Sequence, residues 1–287
     1  MKKRLVIFIQ YFLKPLLKKI YYIPVDIIDR LRGRNSMIPP RSMIFIGSGD
    51  YEKIGKEFLN YFIELANLQP NSRVLDVGCG IGRMAIPLTT YLSTEGEYWG
   101  FDIVKKGIQW CQKHITSKFN NFIFLHSDIY NKYYNRKGKI PAQDFRFPFD
   151  NEFFDFVFLT SVFTHMLPSD IRHYTEEISR VLKPGGKCLV TFFILNDESK
   201  ALVSSGHSAL NFQYKLDGCL TVDQTFPEDA VAYDEEFVKE LFEKHGLVIN
   251  QPIHYGSWCG RQNFLTYQDL IIAEKTRNEA FSSAKMA

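Results

Sequence analysis

The chain lacks the residues that staple small secreted domains. Its 287 residues include five cysteines (Cys79, Cys111, Cys188, Cys219 and Cys259), an odd number at wide spacings with no C-x-x-C pair. That set offers neither a disulfide framework nor a zinc site, so a reducing compartment and no structural metal are expected. Long apolar runs are also missing. The first one, Leu5 to Ile9, falls far below the ~20 residues that span a bilayer. No long h-region or A-x-A-like site marks a secretory signal, and the stretch is too poor in Ser, with two Asp, for a transit peptide.

A large excess of one charge is absent as well, since the net charge is only +3, but it is unevenly spread. Residues 1–34 hold nine Lys and Arg against Asp26 and Asp29, a net of +7, which leaves −4 for the rest. A mildly acidic body does not offer the basic surface of a nucleic-acid binder, so no nucleic-acid partner is expected. What is present is ordinary for a folded protein: 45% hydrophobic and 23% charged residues exclude a disordered or multi-span membrane chain. Aromatics reach 15%, material for a packed core and an aromatic-lined pocket.

Three regions are expected: a basic amphipathic segment over 1–34, one large domain over 35–275 and a tail over 276–287. In the first, Leu5, Phe8, Ile9, Phe12, Leu16 and Ile20 recur at helical spacing with Lys between them. The segment is either an extra helix docked on the domain or an interfacial anchor on anionic headgroups. The protein is then cytoplasmic, or peripheral on the cytoplasmic membrane face.

In the body, helical and strand patterns alternate. Asp50 is placed to cap a helix over Tyr51–Leu68. Strands are expected at Arg73–Gly78, Glu97–Asp102, Phe122–His126, Phe154–Thr160 and Cys188–Ile194. Helices are expected at Arg83–Leu92, Val104–Ile115, Ser169–Leu182 (capped by Ser169) and Glu235–His245. Lys183-Pro-Gly-Gly186 reads as a type II turn. Residues 130–150 and 196–232 read as irregular insertions, and Leu247–Tyr255 with Gln268–Ala273 as two closing strands. The alternation implies an α/β fold with a largely parallel sheet.

Three features carry chemistry. Asp76-Val-Gly78-Cys-Gly80-Ile-Gly82 lies between an expected strand and helix, where glycines let a ligand approach the backbone. One residue separates Gly80 from Gly82, against two in the dinucleotide fingerprint, and an acid ahead of the glycines suits a cationic ligand. Asp102, ending the second strand, can accept hydrogen bonds from ribose hydroxyls or cap a helix. Asp128, after the third strand, can accept from an adenine amine, with Ile129 packed on the ring.

These residues, with Arg180-Val-Leu-Lys-Pro-Gly-Gly186, resemble class I S-adenosylmethionine-dependent methyltransferases, in the family's small-molecule branch. The resemblance runs from about Tyr51 to Lys275. It implies a Rossmann-like seven-stranded sheet in the order 3-2-1-4-5-7-6, with strand 7 antiparallel and helices on both faces. It implies S-adenosyl-L-methionine as cofactor, with Gly78, Gly80 and Gly82 along its methionine half. Asp76 would stand near the ammonium, Asp102 on the ribose, Asp128 and Ile129 on the adenine, and Thr160 and Ser161 near the sulfonium. The rival, a NAD-type dehydrogenase, has the wrong glycine spacing and does not account for the Lys-Pro-Gly-Gly turn.

After the fourth strand the chain reads Thr160-Ser-Val-Phe-Thr-His165-Met. It has neither the Asn/Asp-Pro-Pro-Tyr signature for planar amines nor a Pro-Cys pair for a pyrimidine carbon. His165 stands where a base would meet an acceptor hydroxyl, and imidazole suits proton removal near neutral pH; alternatively it caps or packs the next helix. Tyr255, Trp258 and Arg261 between the last strands, and His207, Phe212 and Tyr214 in the second insertion, are candidates for holding the acceptor, or else a packed hairpin turn and a lid. The expected function is methyl transfer, most simply at oxygen, to a small molecule, glycan precursor or lipid-linked acceptor. The alternative is a catalytically idle S-adenosylmethionine-binding or scaffold protein at a membrane.

Overall fold

The computed structural model describes residues 14–47 and 49–277; the apolar spacing over Leu5–Phe12 and nearly all of the expected tail lie outside the described residues. Among the described residues, helix α1 (Lys14–Leu31) and a 3-10 turn at Arg41–Met43 come first, ahead of α2 (Tyr51–Glu64). Asp50 starts α2 as its spacing predicts: its carboxylate accepts the N–H groups of Glu52 and Lys53 at 3.0 and 2.9 Å.

Alternating units follow: β1 (Arg73–Val77), α3 (Ala85–Leu88), β2 (Glu97–Asp102), α4 (Lys105–Cys111), β3 (Phe122–His126) and β4 (Phe154–Leu159). Then come α5 (Pro168–Val181), β5 (Leu182–Phe192), β6 (Ile194–Leu195) and α6 (Asp197–Ser204). The last described elements are β7 (Tyr214–Leu216), β8 (Cys219–Thr221), β9 (Val231–Asp234), α7 (Glu235–Lys244), β10 (Leu247–Ile249) and β11 (Asp269–Lys275).

The main sheet has seven strands in the order β10-β11-β5-β4-β1-β2-β3. The first five strands pair in parallel and β11 runs antiparallel to both β5 and β10, the topology that the resemblance implies. Alternation along each strand sends side chains to two cores. Val157 and Leu159 of β4 pack with Ile171 and Ile178 of α5 and Leu241 of α7. Phe156 and Phe158, one position out of phase, pack with Phe62 of α2, Leu88 of α3 and Ile108 of α4. With helices on both faces, β1 and β4 meet at the point where strand order reverses, and loops after their C-terminal ends form a crevice there.

Four local expectations need correction. The Arg83–Leu92 helix shrinks to α3: Pro87 supplies no N–H, and the hydroxyls of Thr89 and Thr90 take the carbonyls of Ile86 (2.6 Å) and Pro87 (2.9 Å). Ser169 does not cap α5, which starts at Pro168; instead Asp170 accepts the Leu167 N–H at 3.3 Å. The Lys183–Gly186 turn is a bulge within β5, since Phe154 pairs with Leu182 but Phe156 with Lys187, and Gly185 takes φ +79°. Residues 196–232 are not irregular throughout: they hold α6, β7, β8 and the start of β9, and a second sheet runs β6-β9-β8-β7.

Candidate active site

The glycine-rich turn after β1 is shaped by close neighbours. Gly78 and Gly80 have φ of +83° and +59°, a region that L side chains avoid. A Cβ on Gly78 would stand 2.6 Å from Val162 Cγ2, and one on Gly80 would stand 2.8 Å from Ile46 Cγ2. Asp102 anchors the turn, accepting the Gly80 N–H at 2.8 Å and the Val104 N–H at 2.7 Å. It therefore holds the turn and the start of α4 together.

Asp76 is buried at the end of β1. One carboxylate oxygen accepts the Tyr98 hydroxyl at 2.7 Å, while the other, Oδ1, has no protein partner. Burial pushes this carboxyl up to about 8, against the opposing hydrogen bond from Tyr98. Arg83 follows the turn, and its buried Nε is likewise unpartnered. Buried polar atoms without partners are rare in folded proteins. Here a carboxyl oxygen and a guanidinium nitrogen line the same cavity.

That cavity has a volume of about 510 Å³. Of the residues singled out in the sequence, it is lined by Asp76, Gly78, Gly80, Asp102, Ile129, Thr160, Ser161 and His165. Ser161 has φ +58°, unusual for a non-glycine residue, and two bonds hold it. Its N–H donates to Thr191 Oγ1 at 2.8 Å and its hydroxyl to Gln268 Oε1 at 3.0 Å. His165 ends a 3-10 turn, and its Nδ1 meets the Glu228 carbonyl at 2.9 Å.

Residues 68–246, more than half of the chain, match the family model described as a methyltransferase domain. The chain belongs to that family. It carries a methyltransferase domain on the class I sheet topology. A demethylmenaquinone methyltransferase of Staphylococcus epidermidis is 29% identical over 138 residues, 47% of this chain and 50% of that protein. A sterol 24-C-methyltransferase of Schizosaccharomyces pombe is 31% identical over 140 residues, 48% of this chain and 32% of that protein. The chain thus spans about half the length of the first relative and a third of the second. The solved structure of the PH0226 protein from Pyrococcus horikoshii shares the fold, with a TM-score of 0.56 at 18% identity over 82% of this chain and 95% of that one.

Several residues expected to contact the cofactor or the acceptor do not line this cavity. Gly82 does not line the cavity; a Cβ there would meet Cys111 Sγ at 2.9 Å, so this glycine lets the turn close against α4. Asp128 is also outside the lining, and its carbonyl accepts the N–H groups of Lys139 and Ile140 at 2.9 and 3.1 Å. None of the six residues proposed for the acceptor lines the cavity. Trp258 is fully buried, donates to Asp269 at 2.7 Å and packs on Phe212 at 5.3 Å between ring centroids. Arg261 donates to Glu198 at 2.8 Å and to the Gly256 carbonyl at 2.9 Å, and its guanidinium lies over Tyr255. The Tyr255 hydroxyl donates to Glu235 at 2.8 Å. His207 bonds Ser205, and Tyr214 pairs with Thr221 in the second sheet. Trp258 and Arg261 thus meet on buried Asp269, which also accepts the N–H groups of Ile194 and Gly256, both at 2.6 Å.

The cavity wall includes residues that sequence reasoning passed over: Phe45, Ile46 and Gly47 ahead of α2, Arg83, Tyr130 and Tyr134 of the first insertion, Asp170 and Tyr174 of α5, and Glu228. Arg83 was findable, since it abuts the glycine motif. The others lie far from it in sequence and carry no spacing signal.

Proposed function

We propose that Asp76 and Arg83 receive the ammonium and carboxylate of the cofactor's amino-acid end, with Gly78 and Gly80 against the same half. The two unpartnered atoms, Asp76 Oδ1 and Arg83 Nε, support this pairing: each is a buried charge-bearing group that a zwitterion would satisfy. Asp102 and Ile129 take the ribose and adenine ends, and Thr160 and Ser161 the sulfur end. Bound there, the sulfonium supplies an electrophilic methyl group.

We infer that the acceptor is methylated at oxygen, with His165 as general base. The observation that carries this reading is the contact between His165 Nδ1 and the Glu228 carbonyl. A carbonyl only accepts, so Nδ1 carries the hydrogen and Nε2 keeps a lone pair for an acceptor hydroxyl. The base adds to alignment of acceptor and methyl group, itself a large source of rate. Incubating the protein with methyl-labelled S-adenosylmethionine and cell extracts tests it. Labelled product separates a working enzyme from an idle binding protein, and release of the label as methanol in base or as methyl iodide in hot hydriodic acid separates an ester or ether from a methyl group on carbon.

The acceptor we favour within the small-molecule, glycan-precursor and lipid-linked classes is an apolar, lipid-borne one. Two relatives are named for a demethylmenaquinone and a sterol, both lipids. The chain itself contributes α1. No described helix is long and apolar enough to cross a membrane. Yet Leu17, Ile20, Tyr21, Ile27, Ile28 and Leu31 of α1 form one stripe and are 47% to 82% exposed. A stripe of that size turned outward on a segment of net charge +7 suits peripheral contact with an anionic bilayer.

A further inference from the structure

The polar side of α1 is not free. Asp26 accepts the N–H groups of Arg41 and Ser42 at 2.6 and 3.2 Å. Asp29 binds the guanidinium groups of Arg41 and Arg34, both at 3.0 Å. The helix is thus inverted relative to an ordinary surface helix. Its carboxylates turn toward the protein and its apolar stripe turns away.

What the carboxylates hold is the root of a strap. From the Arg41–Met43 turn the chain runs on through Ile44, Phe45, Ile46 and Gly47, and the last three line the cavity. Ile46 sits against Gly80, at 2.8 Å from where a Cβ would be, and Gly47 lies at 3.4 Å from the Arg83 guanidinium on the same basis. The Phe45 ring is 6.4 Å from that of Tyr134, which is 56% exposed in the cavity wall opposite. Two adjoining contacts therefore link a lipid-suited surface to the wall of the cofactor site.

We propose that α1 binds an anionic lipid surface through its outward stripe, and that the Asp26/Asp29 latch transmits this contact to the Phe45–Gly47 strap, so that lipid binding tightens the cofactor site. The proposal rests on the cofactor placement above. Adsorption orders α1; the latch orders the turn from which the strap leaves; the ordered strap keeps Ile46 and Gly47 against the glycine turn and Arg83. Such coupling is reciprocal in binding free energy, so cofactor must strengthen lipid binding by the same factor.

The test uses the full chain, S-adenosylhomocysteine, and vesicles of phosphatidylcholine with or without phosphatidylglycerol. Anionic vesicles should tighten S-adenosylhomocysteine binding by about fivefold or more, and S-adenosylhomocysteine should raise vesicle partition by the same factor. D26A/D29A should bind vesicles at least as well as wild type, with the tightening of S-adenosylhomocysteine binding by anionic vesicles gone. I27S/L31S should lose vesicle binding and keep lipid-free cofactor affinity. Wild-type protein that binds vesicles with unchanged S-adenosylhomocysteine affinity, or D26A/D29A that keeps the tightening, overturns the latch. Wild-type protein that ignores anionic vesicles overturns the lipid surface. Failure to bind S-adenosylhomocysteine without any lipid is a separate result, and it overturns the cofactor placement itself.

Discussion

His165 and Glu228 are 63 residues apart in the chain, yet the imidazole Nδ1 of one donates to the main-chain oxygen of the other at 2.9 Å. The carbonyl comes from the short 3-10 turn Pro227–Asp229, delivered by the second insertion. This sheet-bearing insertion therefore does more than cover the crevice. It fixes the tautomer of the candidate base.

His165→Ala should lower kcat by ~10²-fold or more while S-adenosylhomocysteine affinity stays near wild type. Calorimetry on the same preparation gives the second half of the comparison. A variant that keeps most of its kcat would show that alignment alone supplies the rate and that His165 is a structural cap.

Asp76 should make cofactor binding pH-dependent. Burial lifts its carboxyl to about 8, well above the ordinary value near 3.8. Between these values the folded state holds a proton that the unfolded state has lost, so this group's contribution to stability is full below about pH 4 and is lost as pH rises toward 8. An ammonium at Oδ1 favours the ionised form instead. S-adenosylhomocysteine affinity should therefore rise between pH 6 and 8, by at most ~10-fold per pH unit, and level off above. In Asp76→Asn the affinity should be low and the slope gone; a wild-type profile flat across this range refutes the pairing.

The Asp269 carboxylate gathers donors from four places: the Ile194 and Gly256 amides, the Trp258 indole and the Arg261 guanidinium. Asp269→Ala leaves three buried donors without an acceptor, each costing about 1–3 kcal/mol in urea unfolding, while Arg261 keeps its bond to Glu198. Cofactor affinity, measured at a temperature where the variant stays folded, should change little, because none of these groups lines the cavity. A large affinity loss in the folded variant would return the Trp258 and Arg261 cluster to the binding site.

What the sequence shows of this molecule follows the range of its signals. β2 and β3 match their expected bounds residue for residue, because alternating burial is written in neighbouring side chains. The glycine turn and Asp102 are legible because each sits at the C-terminal end of a strand with a clear apolar pattern, the turn after β1 and Asp102 at the end of β2. The strap of Phe45–Gly47 and the Glu228 carbonyl are not. Phe45 and Ile46 look like any core residues, and a main-chain oxygen has no residue type at all. The reverse failure occurs at Trp258 and Arg261, where an aromatic beside a cation suggests a binding site, but the buried acid Asp269, on the next strand, bonds both. The strands of the second sheet were missed because they are two to four residues long, too short for a period to show.

Gly78 and Gly206 allow backbone strain to be separated from the site. They have almost the same left-handed φ, +83° and +78°. A Cβ at Gly206 would meet nothing within 4 Å, whereas one at Gly78 would press on Val162 at 2.6 Å inside the cavity wall. Gly206→Ala should therefore cost only the conformational penalty of ~1–2 kcal/mol in stability and leave cofactor affinity intact. Gly78→Ala carries the same penalty, pushes Val162 out of place and thickens the wall where backbone and ligand must approach. Its S-adenosylhomocysteine affinity should fall at least ~10-fold, a difference of about 1.4 kcal/mol. Thermal unfolding gives the shared penalty, and calorimetry gives the part that belongs to the site. Equal affinities for the two variants would mean that the glycine turn serves the fold and that the cofactor lies elsewhere in the crevice.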